Sequence, residues 1–110
     1  ADKRWFADMV AYMDHEVGRL VNQIDELGLG EDTLILFLGD NGTSPAITSP
    51  TVSGPYLGGK GGPKRNGTHV PMLARWTGAG PRGAVCHDLI DTTDFLPTMV
   101  QAAGARVPAA

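Results

Sequence analysis

Apolar residues recur every three or four positions at the start of the chain: Trp5, Met9, Met13, Val17, Leu20, Ile24 and Leu27, with Phe6, Val10 and Val21 widening the stripe. That spacing predicts an amphipathic helix, with Asp2 placed to cap its start and Gly28 or Gly30 to end it. Asp8, Asp14, Glu16, Arg19, Gln23 and Asp25 fall on the other face, which suits solvent, and His15 beside them reads as a solvated surface histidine. The pattern then changes. Leu34-Ile35-Leu36-Phe37-Leu38 is an unbroken apolar run, far too short to span a bilayer. It predicts a strand over 33–39 that is buried on both faces.

From Gly42 to Thr68 the chain is rich in Gly, Pro, Ser and Thr and has no helical period, which predicts one long irregular loop. Loops of that length in compact domains are functional or disordered. A second strand is expected at about Val70–Trp76, with Pro71 at its start. Leu89-Ile90 suggests a third short strand. Thr93 or Asp94 then caps a last helix, with Pro97 in its first turn and Gly104 closing it. Helix, strand, loop, strand, short strand, helix is an α/β order without internal repeats.

The apolar run stops at Asp40-Asn41-Gly42. In open α/β sheets, ligands collect at the carboxyl ends of strands, and Asp and Asn oxygens suit hard cations such as Ca²⁺ or Mg²⁺. The same triplet is ordinary turn chemistry, so alone it leaves both readings open. The long loop carries Gly58-Gly59-Lys60-Gly61-Gly62, a lysine flanked by flexible glycines. Such a lysine is a point charge with three donors, fit to hold a sulfate or phosphate group. Gly54 through Lys60 also satisfies the phosphate-loop pattern, but Gly61 stands where Ser or Thr must follow, and Pro63 disfavours the required helix.

Composition narrows the picture slightly. The chain has 110 residues, a net charge of −3 and one cysteine. That is about one domain, without the clustered Lys and Arg expected of a nucleic-acid binder. A lone Cys86 excludes an internal disulfide and a multi-cysteine zinc site, and it is read as a small, half-buried side chain. Ala1 opens directly on a charged amphipathic segment, so a mature or truncated form is expected. Asn41-Gly42-Thr43 and Asn66-Gly67-Thr68 fit the glycosylation triplet, a pattern frequent by chance.

Taken in order, the blocks resemble the C-terminal part of the sulfatase catalytic domain, within the alkaline phosphatase superfamily. They are Met13 through Arg19 with Leu27-Gly28-Leu29, Thr33 through Gly42, Gly59-Lys60-Gly61 with Gly67 through Leu73, and Asp91 through Thr98 with Ala103-Gly104. The resemblance covers nearly all of residues 1–110. It implies a partial catalytic domain, a fragment of an alkaline-phosphatase-like α/β/α sandwich with a mostly parallel sheet. It also implies that Asp40 and Asn41 are two ligands of a catalytic Ca²⁺, that Lys60 contacts a sulfate ester, and that His69 is a further candidate contact. The family's nucleophile is a formylglycine made from Cys or Ser in a Cys/Ser-x-Pro-x-Arg motif. Ser53-Gly54-Pro55-Tyr56-Leu57 begins that motif but lacks the arginine, and Cys86 lacks the proline.

The nucleophile and the remaining acidic ligands are therefore expected outside this segment, and the isolated chain is expected to be inactive. Lys64-Arg65-Asn66 replaces an aromatic and a glutamate found in many relatives. The substrate implied is an aryl or carbohydrate sulfate, with no nucleic acid and no membrane, in a periplasmic, secreted or lysosomal setting. Two rivals stand beside this reading. One is a phosphodiester or phosphonate monoester hydrolase of the same superfamily, and the other is a non-catalytic fragment that self-associates through unpaired strand edges.

Overall fold

In the computed structural model, which describes residues 3–107, a 3₁₀ turn at Lys3–Trp5 runs into helix α1 at Phe6–Glu26. No side chain caps its start, and Asp2 lies outside the described residues. Gly28, at φ +71°, ends the helix in the left-handed conformation that glycine adopts without strain. The apolar run forms strand β1, Leu34–Leu38. It pairs antiparallel with the strand Met72–Trp76, in a register that sets Ile35 opposite Arg75 and Phe37 opposite Leu73. Pro71 sits just before that strand, and its carbonyl accepts from the Gly39 N–H at 3.2 Å.

Between these strands the expected irregular loop contains regular structure. Thr48–Thr51 and Gly54–Leu57 form an antiparallel hairpin, β2 and β3, and Arg65–Thr68 makes a single helical turn, α2; Met72–Trp76 is then β4. Pro50 faces Pro55 across the hairpin, so neither can donate to the ladder. The Thr51 hydroxyl compensates by donating to the Gly54 carbonyl at 2.7 Å. Prolines and threonines without apolar alternation hide such a hairpin from a hydrophobicity pattern. Leu89-Ile90 forms no strand; both residues are exposed. The phosphate-loop reading fails on geometry as well, because Gly54–Leu57 is strand and no helix follows Lys60 directly.

The last helix, α3, runs Phe95–Ala102 after a 3₁₀ turn at Thr92–Asp94. Asp94 holds the N-cap position of α3, one of the two residues expected there, but its side chain does not bond into that helix. The side-chain cap belongs to the preceding turn, where the Asp91 carboxylate accepts from the Thr93 N–H at 3.0 Å while Asp94 accepts from the Asp91 N–H at 2.8 Å. This reciprocal box satisfies two of the donors that every helix start leaves open. Gly104, at φ +71°, ends the segment.

Two expectations about burial and topology need correction. All five residues of β1 are half-buried rather than buried, because β1 has one ladder partner and α1 stands across an open apolar groove of about 610 Å³. The mostly parallel sheet is likewise not what these residues build, since both ladders here are antiparallel. No described hydrophobic side chain is fully buried. The accessible surface is 9147 Å², against roughly 5800 Å² for a compact monomer of this size. The radius of gyration is 16.7 Å, where about 13 Å suits a compact chain of roughly 100 residues. Cys86 is exposed rather than half-buried, with its thiol 3.6 Å from an Asp88 oxygen. These residues make one wall of a core.

One side-chain link ties α1 to the sheet. Arg75 of β4 donates to Asp25 at 2.7 Å, so a residue expected to face solvent, and exposed here, also links the helix to the sheet. The Asp25 carboxylate raises the Arg75 guanidinium above its ordinary pKa. No described helix is long and apolar enough to cross a membrane.

The α3 cap yields a pH prediction. Hydrogen bonds from the Thr93 backbone and hydroxyl hold the Asp91 carboxyl below its ordinary value of 3.8. A group lowered by folding contributes fully above its unfolded pKa and loses that contribution as pH falls through its folded one. The Cα shifts of 95–102 are expected to stay helical at pH 5 and to drift toward coil once the pH drops below 3.8. Asp91→Ala is expected to fray α3 already at neutral pH and to remove most of that acid response.

Candidate functional site

Strand β1 delivers its last residue, Leu38, into the sheet, and Gly39 is the last residue to bond across to the β4 side. The chain then leaves the sheet with Asp40 exposed and Asn41 half-buried. Consecutive side chains of an extended chain point to opposite sides. Here they converge: the Asn41 Nδ2 lies 2.5 Å from the Asp40 Oδ2. Among the described residues, Asp40 accepts no backbone N–H two residues on, so this is not the hydrogen bond of an Asx turn.

The loop after Asn41 is knitted to the glycine-rich segment by main-chain bonds. The Gly42 N–H donates to the Gly67 carbonyl and the Lys60 N–H to the Thr43 carbonyl, each at 2.9 Å. The Gly58 N–H reaches the Ile47 carbonyl, also at 2.9 Å. Gly58 and Gly67 are the two fully buried residues among those described. A Cβ on Gly58 would collide with the carbonyl oxygens of Thr43 and Ser44, and one on Gly67 with those of Gly59 and Gly62. A Cβ on Gly42 would strike the Asn66 carbonyl oxygen. Main chain therefore packs directly on main chain, which only glycine permits.

Three of the four candidate residues thus belong to one loop cluster. Lys60 is fastened by its own N–H to Thr43, two residues beyond Asn41. Its side chain is exposed, and its ammonium enters no ion pair among the described residues. His69 stands apart. Its N–H closes the α2 turn onto the Arg65 carbonyl at 2.8 Å, its side chain is exposed, and no hydrogen bond joins its imidazole to the cluster. The neighbouring Val70, not His69, packs against Gly39.

The donor chemistry fits a hard dication, since a carboxylate and an amide oxygen are both oxygen ligands. The number of donors does not complete a site. Ca²⁺ takes six to eight oxygens, and no group of three or more His, Cys, Asp or Glu suited to a metal occurs among the described residues. Asp40 and Asn41 are therefore, at most, part of a coordination shell. The sequence pattern missed Asn66, whose carboxamide lies over Gly59 and donates to the Leu57 carbonyl at 3.1 Å. The visible hint was the run of glycines that accommodates it.

The family model described as Sulfatase matches residues 3–105. This chain belongs to the sulfatase family. It is 35% identical over 109 residues to the steryl-sulfatase of Mus musculus, covering 94% of this chain and 18% of that relative. It is 38% identical over 104 residues to the arylsulfatase A of Homo sapiens, covering 94% and 20%. The N-acetylgalactosamine-6-sulfatase of Canis lupus familiaris is 32% identical over 106 residues, again covering 94% and 20%. The sulfatase segment therefore spans about a fifth of the length of these curated relatives. No solved structure matches it. Membership implies an alkaline-phosphatase-like α/β fold, of which the helices and the two small sheets here are a part.

The main-chain packing makes a direct prediction. Gly67→Ala has no flexible side chain to push aside, only the carbonyls of Gly59 and Gly62. Overpacking of this kind costs about 1–3 kcal/mol, and the loss is expected as a lower urea midpoint. Gly18→Ala, with open space around the added carbon, is expected to leave that midpoint unchanged or raise it slightly.

Proposed function

We propose that the protein carrying this segment hydrolyses sulfate monoesters, and that the segment supplies one side of its active site as the C-terminal portion of the catalytic domain. Asp40 and Asn41 would hold a Ca²⁺ with ligands from outside residues 1–110, and Lys60 would hold the sulfate. The nucleophile, a formylglycine in this reading, also lies outside. The observation that supports the proposal is the main-chain bond from the Lys60 N–H to the Thr43 carbonyl, which ties the loop of Lys60 to the loop that follows Asp40 and Asn41. The relatives that share this segment are named steryl-sulfatase, arylsulfatase A and N-acetylgalactosamine-6-sulfatase.

The chemistry explains the parts. As the S–O bond breaks, the electron pair and its negative charge pass to the leaving oxygen. When bound, a divalent cation would add Lewis-acid stabilisation of the anionic group. Lys60 donates hydrogen bonds to non-bridging oxygens and holds sulfur in line for attack. Its glycine-bounded loop keeps bulk away, so the sulfate can approach the ammonium closely. The phosphohydrolase alternative is disfavoured by Asn41, since many such enzymes carry histidine after the metal aspartate, and by the names of the relatives.

In the full-length protein, aryl sulfates and sulfated sugars are expected to be hydrolysed, and phosphodiesters not. Activity on phosphodiesters alone rejects the assignment. Lys60→Ala is expected to lower kcat by about 100-fold, near 3 kcal/mol, as does loss of an oxyanion donor.

The apolar groove beside α1 favours a second reading for the isolated chain, as a non-catalytic piece that self-associates. The isolated 110 residues are expected to show no turnover and to bind Ca²⁺ more weakly than about 10⁻⁴ M by calorimetry. Submicromolar binding with turnover overturns the partial-site reading, and a monomer in sedimentation at micromolar concentration rejects self-association.

A further inference from the structure

We infer that Asn66 is a positioning residue, which sets Lys60 against the loop of Asp40 and Asn41. The inference rests on the reading of Lys60 as the sulfate contact. Asn66 sits in the one-turn helix α2, and three of its groups touch three different parts of the cluster. Its Nδ2 donates to the Leu57 carbonyl at 3.1 Å, at the end of β3 where the lysine loop begins. Its carboxamide lies flat over Gly59, the residue before Lys60: a Cβ built there would sit 2.5 Å from Cγ and Oδ1 and 2.7 Å from Nδ2. Its main-chain carbonyl abuts Gly42, the residue after Asn41.

A half-buried side chain thus holds the stretch leading into Lys60 at Leu57 and Gly59, while its backbone braces the loop carrying the oxygen pair. The amide is needed as such. Leu57 offers a carbonyl, which wants a donor, so Asn66→Asp keeps the shape but sets a carboxylate against an acceptor. Asn66→Ala removes both the bond and the surface on which Gly59 rests.

The geometry also makes Gly59 and Asn66 a coupled pair. The three atoms nearest an added methyl at Gly59 all belong to the Asn66 carboxamide, so that carboxamide must shift to accommodate it. Gly59→Ala and Asn66→Ala then damage one contact, and their effects are not additive.

The test uses the full-length protein and two readouts. Hydrogen exchange, followed on peptides spanning 57–62 and 40–44, reads the junction directly. Steady-state kinetics on an aryl sulfate reads the position of Lys60. Asn66→Ala and Asn66→Asp are expected to speed exchange at 57–62 by about tenfold or more. They are also expected to lower kcat/KM by about tenfold, in line with small misplacements of a catalytic group, with an unchanged melting temperature. The double variant Gly59→Ala/Asn66→Ala is expected to be no worse than either single variant. Unchanged exchange at 57–62 in both Asn66 variants, or simple addition of the two losses, overturns the inference. Faster exchange with undiminished turnover confirms the brace and instead rejects Lys60 as the sulfate contact.

Discussion

Hydrogen bonds between main-chain groups are what bring the candidate residues into one cluster. Gly42 to Gly67 and Lys60 to Thr43 join stretches that are far apart in sequence, and each is made where glycines allow the backbones to touch. Together with the Gly58 bond to Ile47, they make one cluster of the strand end carrying Asp40 and Asn41 and the turn carrying Lys60. A hydrogen bond of this sort contributes only about 1 kcal/mol net. Its value lies in direction: it sets where the next side chain begins, and the chemistry needs that more than it needs binding strength.

The scaffold behind the junction is unusually open. β1 and β4 share a ladder, α1 is tied to it through Arg75 and Asp25, and a wide apolar groove lies between helix and sheet. The stripe of α1 and the face bearing Ile35 and Phe37 are the two sides of that groove. Hydrophobic faces of this extent are stable when something covers them. That condition matches a segment that spans about a fifth of its relatives. The local elements form because their own patterns and caps specify them, without a closely packed core among the described residues.

How much was legible in the sequence follows from what each feature depends on. Helix α1 and strand β1 were readable because periodicity and an unbroken apolar run are local signals. Their burial was not, since burial depends on whatever lies opposite. The β2–β3 hairpin escaped notice because Pro50 and Pro55 break the usual strand composition. Asp94 was legible as the N-cap position of α3, but the reciprocal bonds by which Asp91 caps the turn before it were not, since they depend on how two carboxylates fold back on the chain. Asp40, Asn41 and Lys60 stood out by residue type and setting. Asn66 did not, because its part is played through a backbone carbonyl at Leu57 and a glycine face, neither of which leaves a mark in a string of letters.

That the junction is made from peptide groups has a consequence for divergence. A clamp written in N–H and C=O groups is indifferent to most neighbouring side chains, provided the few glycines persist. Residues such as Lys64 and Arg65, exposed on the rim of the same cluster, can drift without unseating Lys60. A lineage built this way is free to exchange the outer lining of the cluster while inheriting its inner main-chain junction unchanged.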